Sequence, residues 1–156
     1  MGHYVISTKK EAGMLQVKDL MTTDLFTLRR TDTLASARSI MELGRIRHIP
    51  IVDDQTRFIG LVTHRDILSA TVSKLADIDA GTQDELDASI PILSIMRTDV
   101  RHTHPDTELK EAAAVLLEHK YGCLPVLEDE RLVGILTEAD FLNLTISLMQ
   151  ALEQEA

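Results

Sequence analysis

Apolar positions along the chain fall into one pattern that is written twice. Leu34, Ala37, Ile40, Met41 and Ile46 recur at helical spacing, and Leu109, Ala112, Val115 and Leu116 repeat it. Such spacing predicts an amphipathic helix of about three turns with one apolar face. Two short aliphatic runs follow each helix: Ile49 to Val52 and Phe58 to Val62, then Leu124 to Leu127 and Leu132 to Leu136. The second run of each pair is nearly continuous in aliphatic residues, as expected of a strand buried on both faces. The polar turns Asp53-Asp54-Gln55-Thr56 and Glu128-Asp129-Glu130 join the runs. Met21 and Met96 each end a short helical turn and lead into a brief extended piece, 26–28 or 101–103. Asp32-Thr33 and Asp106-Thr107 precede the helices and can cap them. A closing helix starts at Thr63 or Thr137.

Direct superposition shows a duplication. Met21-Thr22-Thr23-Asp24-Leu25 falls on Met96-Arg97-Thr98-Asp99-Val100, and Ile49-Pro50-Ile51-Val52 falls on Leu124-Pro125-Val126-Leu127. One residue is lost in the turn after Asp54 and Asp129, after which Gly60 to Asp66 matches Gly134 to Asp140. The predicted class is α+β, a sandwich-like arrangement of two β-α-β-β-α repeats packed sheet to sheet with pseudo-two-fold symmetry. A unit of about 50–60 residues buries too little apolar surface to be stable alone, so the copies are expected to pack together and leave two equivalent clefts. The predicted divisions are an N-terminal arm (1–14), a first repeat (15–76), a polar linker (77–91) with a short helix near Asp84 to Ala88, and a second repeat (92–156). Leu144, Leu148 and Leu152 form a stripe on the extended last helix, open to packing on its own domain or on another subunit.

Composition narrows the functional classes. Aromatic residues are only 3% and Trp is absent, so the core must be aliphatic. The formal net charge of -9 repels phosphate backbones at long range and disfavours nucleic acid as a partner. A local cationic cluster can still hold a small anion within a Debye length of about 8 Å. No apolar run approaches the roughly 20 residues that cross a bilayer, and the N-terminus lacks a secretory pattern, so no membrane partner is expected and the expected location is the cytoplasm. The single cysteine, Cys123, excludes an internal disulfide framework.

The quoted motifs resemble the CBS (cystathionine beta-synthase) domain family over about Val17 to Leu75 and Ile92 to Leu148. The elements that carry the resemblance are the Asp-Leu-Met and Ser-Ile-Met openings, Arg-His-Ile-Pro-Ile-Val, and the turn Gly-x-x-Thr-x-x-Asp in both copies. Two copies make what that family calls a Bateman module, here read as a stand-alone, non-catalytic protein. The resemblance implies a regulatory module with no required cofactor. It implies an adenosine-type ligand, AMP, ADP, ATP or S-adenosylmethionine, a flat homodimer and an unknown effector protein.

The resemblance also implies a residue set. Asp66 and Asp140 would accept hydrogen bonds from ribose hydroxyls, and Thr63 and Thr137 would reach the phosphate side at a helix N-terminus, where unpaired N–H groups favour an anion. One cleft would combine Thr137 and Asp140 with Ile46, Arg47, His48 and Asp32. The other would combine Thr63, Arg65 and Asp66 with Tyr121, Gly122, Cys123 and Asp106. Leu61 and Ile135, on the strands leading into the turns, complete the set. From the residues alone a second reading stays open, because Thr-x-x-Asp at a helix start is also a capping box that needs no ligand.

The copies differ in chemistry. His64-Arg65 follows Thr63, whereas Glu138-Ala139 follows Thr137, so the Arg65 cleft is expected to favour a phosphorylated nucleoside. His102 and His104 lie on one face of an extended piece without further ligands nearby, and no metal site is expected. Cys123 reads as a small apolar filler, and no phosphate loop, nucleophile elbow or zinc-protease motif occurs.

Overall fold

The structure, a computed structural model, describes residues 14–72, 80–119 and 122–155. Tyr121, most of the N-terminal arm and 77–79 of the expected linker lie outside the described residues. The chain divides into two compact units. Their boundaries do not follow the repeats: one unit is Phe26–Val100 with Glu130–Leu132, and the other joins the described residues up to Leu25 to Arg101–Asp129 and Val133 onward.

In the first unit β1 (Leu28–Arg29) pairs parallel to β2 (His48–Val52), which pairs antiparallel to β3 (Phe58–Thr63), giving the order β1-β2-β3. The register sets His48 opposite Thr63 and Ile49 opposite Val62. Helix α2 (Leu34–Gly44) buries Leu34, Ala37 and Met41 with Ile49, Ile51, Val62 and Ile67 in an all-aliphatic core. It stops at Arg45, which takes the left-handed conformation (φ 52°) and returns its N–H to the Met41 carbonyl. Helix α3 (His64–Val72) closes the repeat.

The segment between the repeats is more than a linker. Helix α4 (Ala80–Ser89) runs past the expected Asp84 to Ala88 at both ends and packs against α2. A 3-10 turn at Ile92–Ser94 then buries Ile92 in the same core.

The second unit repeats these relationships. Its α1 (Val17–Leu20) comes from the start of the chain and lies against α5 (Leu109–Glu118) and α6 (Glu138–Gln154). Strands β4 (Cys123–Glu128) and β5 (Arg131–Thr137) form a hairpin whose loop residues Asp129 and Glu130 both have positive φ, the backbone of a type I′ turn. The counterpart of β1 shrinks to one parallel bridge, Thr103 to Val126. Val17, Leu20, Leu109, Leu116, Leu124 and Leu136 make its core.

The expected helix caps are not used. Neither α2, with Thr33 at its N-cap, nor α5, with Glu108 there, has a side-chain cap. Asp32 instead accepts from the Arg29 N–H, and Asp106 is paired with Lys18 at 3.0 Å. The first N–H of each helix is met by backbone: Leu34 N donates to the Ile90 carbonyl, and Leu109 N donates to the Leu15 carbonyl. An incoming chain segment thus meets one of the unpaired N–H groups at each helix start. The tail stripe divides between core and surface. Leu144 packs on the core, but Leu148 and Leu152 are exposed.

Candidate functional site

Each Thr-x-x-Asp turn is a closed capping box. Asp66 Oδ2 accepts from the Thr63 N–H at 2.9 Å and from its hydroxyl at 2.8 Å, while the Asp66 N–H donates to Thr63 Oγ1 at 3.2 Å. Asp140 repeats this with Thr137 at 2.8, 3.3 and 3.4 Å. The two openings at the strand ends also match. His64 N donates to the Arg47 carbonyl at 2.8 Å and Glu138 N to the Gly122 carbonyl at 3.2 Å. Each turn is therefore tied to the residues before Pro50 or Pro125 of its own copy.

The other carboxylate oxygen is engaged by a segment that sequence reasoning left without a role. After the turn at Ile92–Ser94, Arg97 exchanges both backbone hydrogen bonds with Leu61, at 2.9 and 2.7 Å. Thr22, after α1, does the same with Ile135 at 2.8 and 2.9 Å. These bridges need a glycine one residue earlier on the strand. A Cβ on Gly60 would stand 2.6 Å from the Met96 sulfur and 3.0 Å from the Arg97 carbonyl, and one on Gly134 2.7 Å from the Met21 sulfur and 3.1 Å from the Thr22 carbonyl. The glycine of Gly-x-x-Thr-x-x-Asp is thus explained by close approach of a second backbone.

Here the copies part. Arg97 places Nε and Nη2 each 2.8 Å from Asp66 Oδ1. Thr22 donates one hydroxyl to Asp140 Oδ1 at 3.0 Å. A carboxylate offers about four acceptor positions. Asp66 accepts two donors on each oxygen, whereas Asp140, among the described residues, accepts two on Oδ2 and one on Oδ1. Superposing Met21-Thr22 on Met96-Arg97 already exposes the Thr-for-Arg exchange; its partner is visible only in three dimensions.

Leu61, Ile135 and Cys123 are buried, Ile46, His48 and Gly122 half-buried, and Arg47, Arg65 and Asp106 exposed. Burial pushes the Cys123 thiol up to about 12, so it is a protonated core atom at neutral pH. The hydrogen bond and charge of Lys18 hold the Asp106 carboxyl below its usual range. His104 accepts the Asp106 N–H at Nδ1, and no group of three or more metal-ligating side chains occurs among the described residues. None of the described helices is long and apolar enough to cross a membrane.

Comparison with known proteins matches this architecture. A model of the CBS domain fits residues 17–73 and 92–147. The homoserine O-acetyltransferase of Methanohalophilus mahii is 35% identical over 86% of this chain, which spans only 25% of that enzyme's length. Among solved structures, a Vibrio cholerae protein assigned to acetoin utilization (AcuB) is 39% identical, with a TM-score of 0.76 and coverage of 92% of this chain and 98% of that one. The CBS domain pair of protein MJ0100, solved in complex with 5′-methylthioadenosine and S-adenosyl-L-methionine, is 25% identical, with a TM-score of 0.71 and coverage of 86% and 98%.

Proposed function

Because this chain belongs to the CBS domain family and carries the domain twice, we propose that it is a regulatory module whose Asp140 turn takes the ribose of an adenosine-type ligand. The observation that carries the reading is the spare acceptor position on Asp140, a carboxylate that is only 6% exposed. A ribose hydroxyl can donate there without breaking the capping box or the Thr22 bond. At Asp66 the same hydroxyl has to displace Arg97, so acceptor capacity favours the second turn although His64 and Arg65 favour phosphate at the first. The MJ0100 domain pair supports the ligand class, since both compounds in its complex contain an adenosine moiety. Ligand binding would act by favouring one arrangement of the chain over another and passing that preference to an effector protein. The Vibrio relative makes acetoin utilization one setting in which to seek the effector.

Calorimetry with AMP, ADP, ATP and S-adenosylmethionine tests this. At least one should bind, and Asp140→Asn, which cannot keep both acceptor oxygens, should abolish the heat. Silence from the whole panel, or unchanged binding by Asp140→Asn, would reject the assignment.

A second reading, an interaction module that dimerises through its helices, is favoured by the last helix. Leu142, Ile146, Met149 and Leu152 of α6 are all more than half exposed, and Leu142 and its repeat counterpart Leu68 both face solvent. Sedimentation separates the readings. A ligand-independent dimer broken by Met149→Glu in a chain that binds none of the panel would select the second.

A further inference from the structure

Helix α4 is fastened to the first unit in an unusual way. Of its residues with described side chains, only Asp87 is fully buried, and that residue is a carboxylate with its side chain 3% exposed. Its cationic partner is Arg38 of α2, whose Nε lies 2.6 Å from Oδ2 and whose Nη2 lies 3.5 Å from Oδ1. Gln83 adds a bond to Oδ1 at 3.1 Å, and Thr71 of α3 accepts from Arg38 Nη2 at 2.7 Å. A buried carboxylate without this guanidinium would be unfavourable, so α4 docks only with Arg38 in place.

Arg38 also lines a cavity of about 280 Å³ together with Met41, Glu42, Arg45, Arg47 and His64. Arg45 and Arg47 are exposed and, among the described residues, have no ion pair; Glu42 is the only acidic side chain in the lining. Asp87 and Thr71 occupy the Nε and Nη2 positions of Arg38, while Nη1 has no hydrogen-bond partner among the described residues. Of the guanidinium nitrogens, Nη1 therefore keeps its two N–H donors to offer.

We propose that Arg38, Arg45, Arg47 and His64 form a site for a phosphate-class anion, and that α4 supports it by orienting Arg38 through Asp87. The inference does not rest on adenosine binding at Asp140. Since the anion uses the Nη1 donors that Asp87 and Thr71 leave open, the buried pair need not break. Occupancy and docking of α4 then reinforce each other, because each favours the same position of Arg38.

The test uses the full chain at constant ionic strength, with pyrophosphate as probe and chloride as control. Calorimetry should detect pyrophosphate, and hydrogen exchange of residues 80–89 should slow when it is added. Arg45→Gln should weaken the binding. Asp87→Asn should weaken it about tenfold or more, as loss of an orienting partner does. Should Asp87→Asn misfold, Thr71→Val removes the other hold on Arg38 without touching α4, and it should weaken binding too. ADP run in parallel separates sources: tighter binding than pyrophosphate identifies a nucleotide tail, and equal binding a free anion. Absence of binding by both anions, affinity unchanged in these variants, or exchange of 80–89 that stays constant or quickens would each overturn the proposal.

Discussion

Arg97 grips one oxygen of Asp66 with two nitrogens, Nε and Nη2, each at 2.8 Å, from a segment 31 residues away in sequence. In the other copy the same place is held by Thr22 with one hydroxyl on Asp140. The two turns share one hydrogen-bonding pattern and differ in the acceptor capacity that remains.

Replacing Arg97 with Ala should open the first turn. Oδ1 of Asp66 then recovers acceptor capacity, and calorimetry with AMP should change from one site to two. The cost to stability should be about 1 kcal/mol or less, because the Arg97 side chain is 41% exposed and water screens the pair. Stoichiometry that stays at one would mean that Arg97 is not what separates the copies.

Thr22→Val removes the donor to a buried carboxylate oxygen while keeping the shape of the side chain. Such a loss should cost about 1–3 kcal/mol, read as a lower urea midpoint. Thr22→Ser, which retains the hydroxyl, should recover most of it. Equal stability of the Val and Ser variants would show that the bond contributes little.

Gly60→Ala and Gly134→Ala probe the backbone bridges. The added methyl meets a methionine sulfur at 2.6 or 2.7 Å and a carbonyl oxygen at 3.0 or 3.1 Å. The sulfur can swing aside, but the carbonyl is fixed by its own hydrogen bond to Leu61 or Ile135. Each variant should lose about 1–3 kcal/mol, as overpacked sites do. Adding Met96→Ala or Met21→Ala should restore only part. Full restoration would assign the strain to the sulfur alone.

Cys123 should resist alkylation. With its pKa pushed from 9.0 to about 12, almost no thiolate exists at pH 8 in the folded chain, and iodoacetamide should react only after unfolding. The shift also fixes a pH dependence. The folded pKa is raised, so the contribution is intact below about 9 and is lost as pH climbs toward 12, where the unfolded thiol ionises first. Cys123→Ala should flatten that alkaline decline; a decline of the same slope in the variant would assign it to other groups.

Local sequence determined a good deal of this protein. Apolar spacing located α2 and α5, because a helix face recurs with a fixed period. Aliphatic runs located β2 to β5, and duplicated motifs identified the family. Thr63 with Asp66, and Thr137 with Asp140, were legible as capping boxes because all their partners lie within three residues. Tertiary structure decided the rest. The first N–H of α2 and of α5 is met by the Ile90 and Leu15 carbonyls, from segments outside each helix. Asp87 is buried only because Arg38, 49 residues away, meets it. Thr22 and Arg97, similar in position and unlike in chemistry, set what each aspartate has left to offer. Such pairings join residues distant along the chain, and their energies depend on distances of a few ångströms that local spacing does not encode.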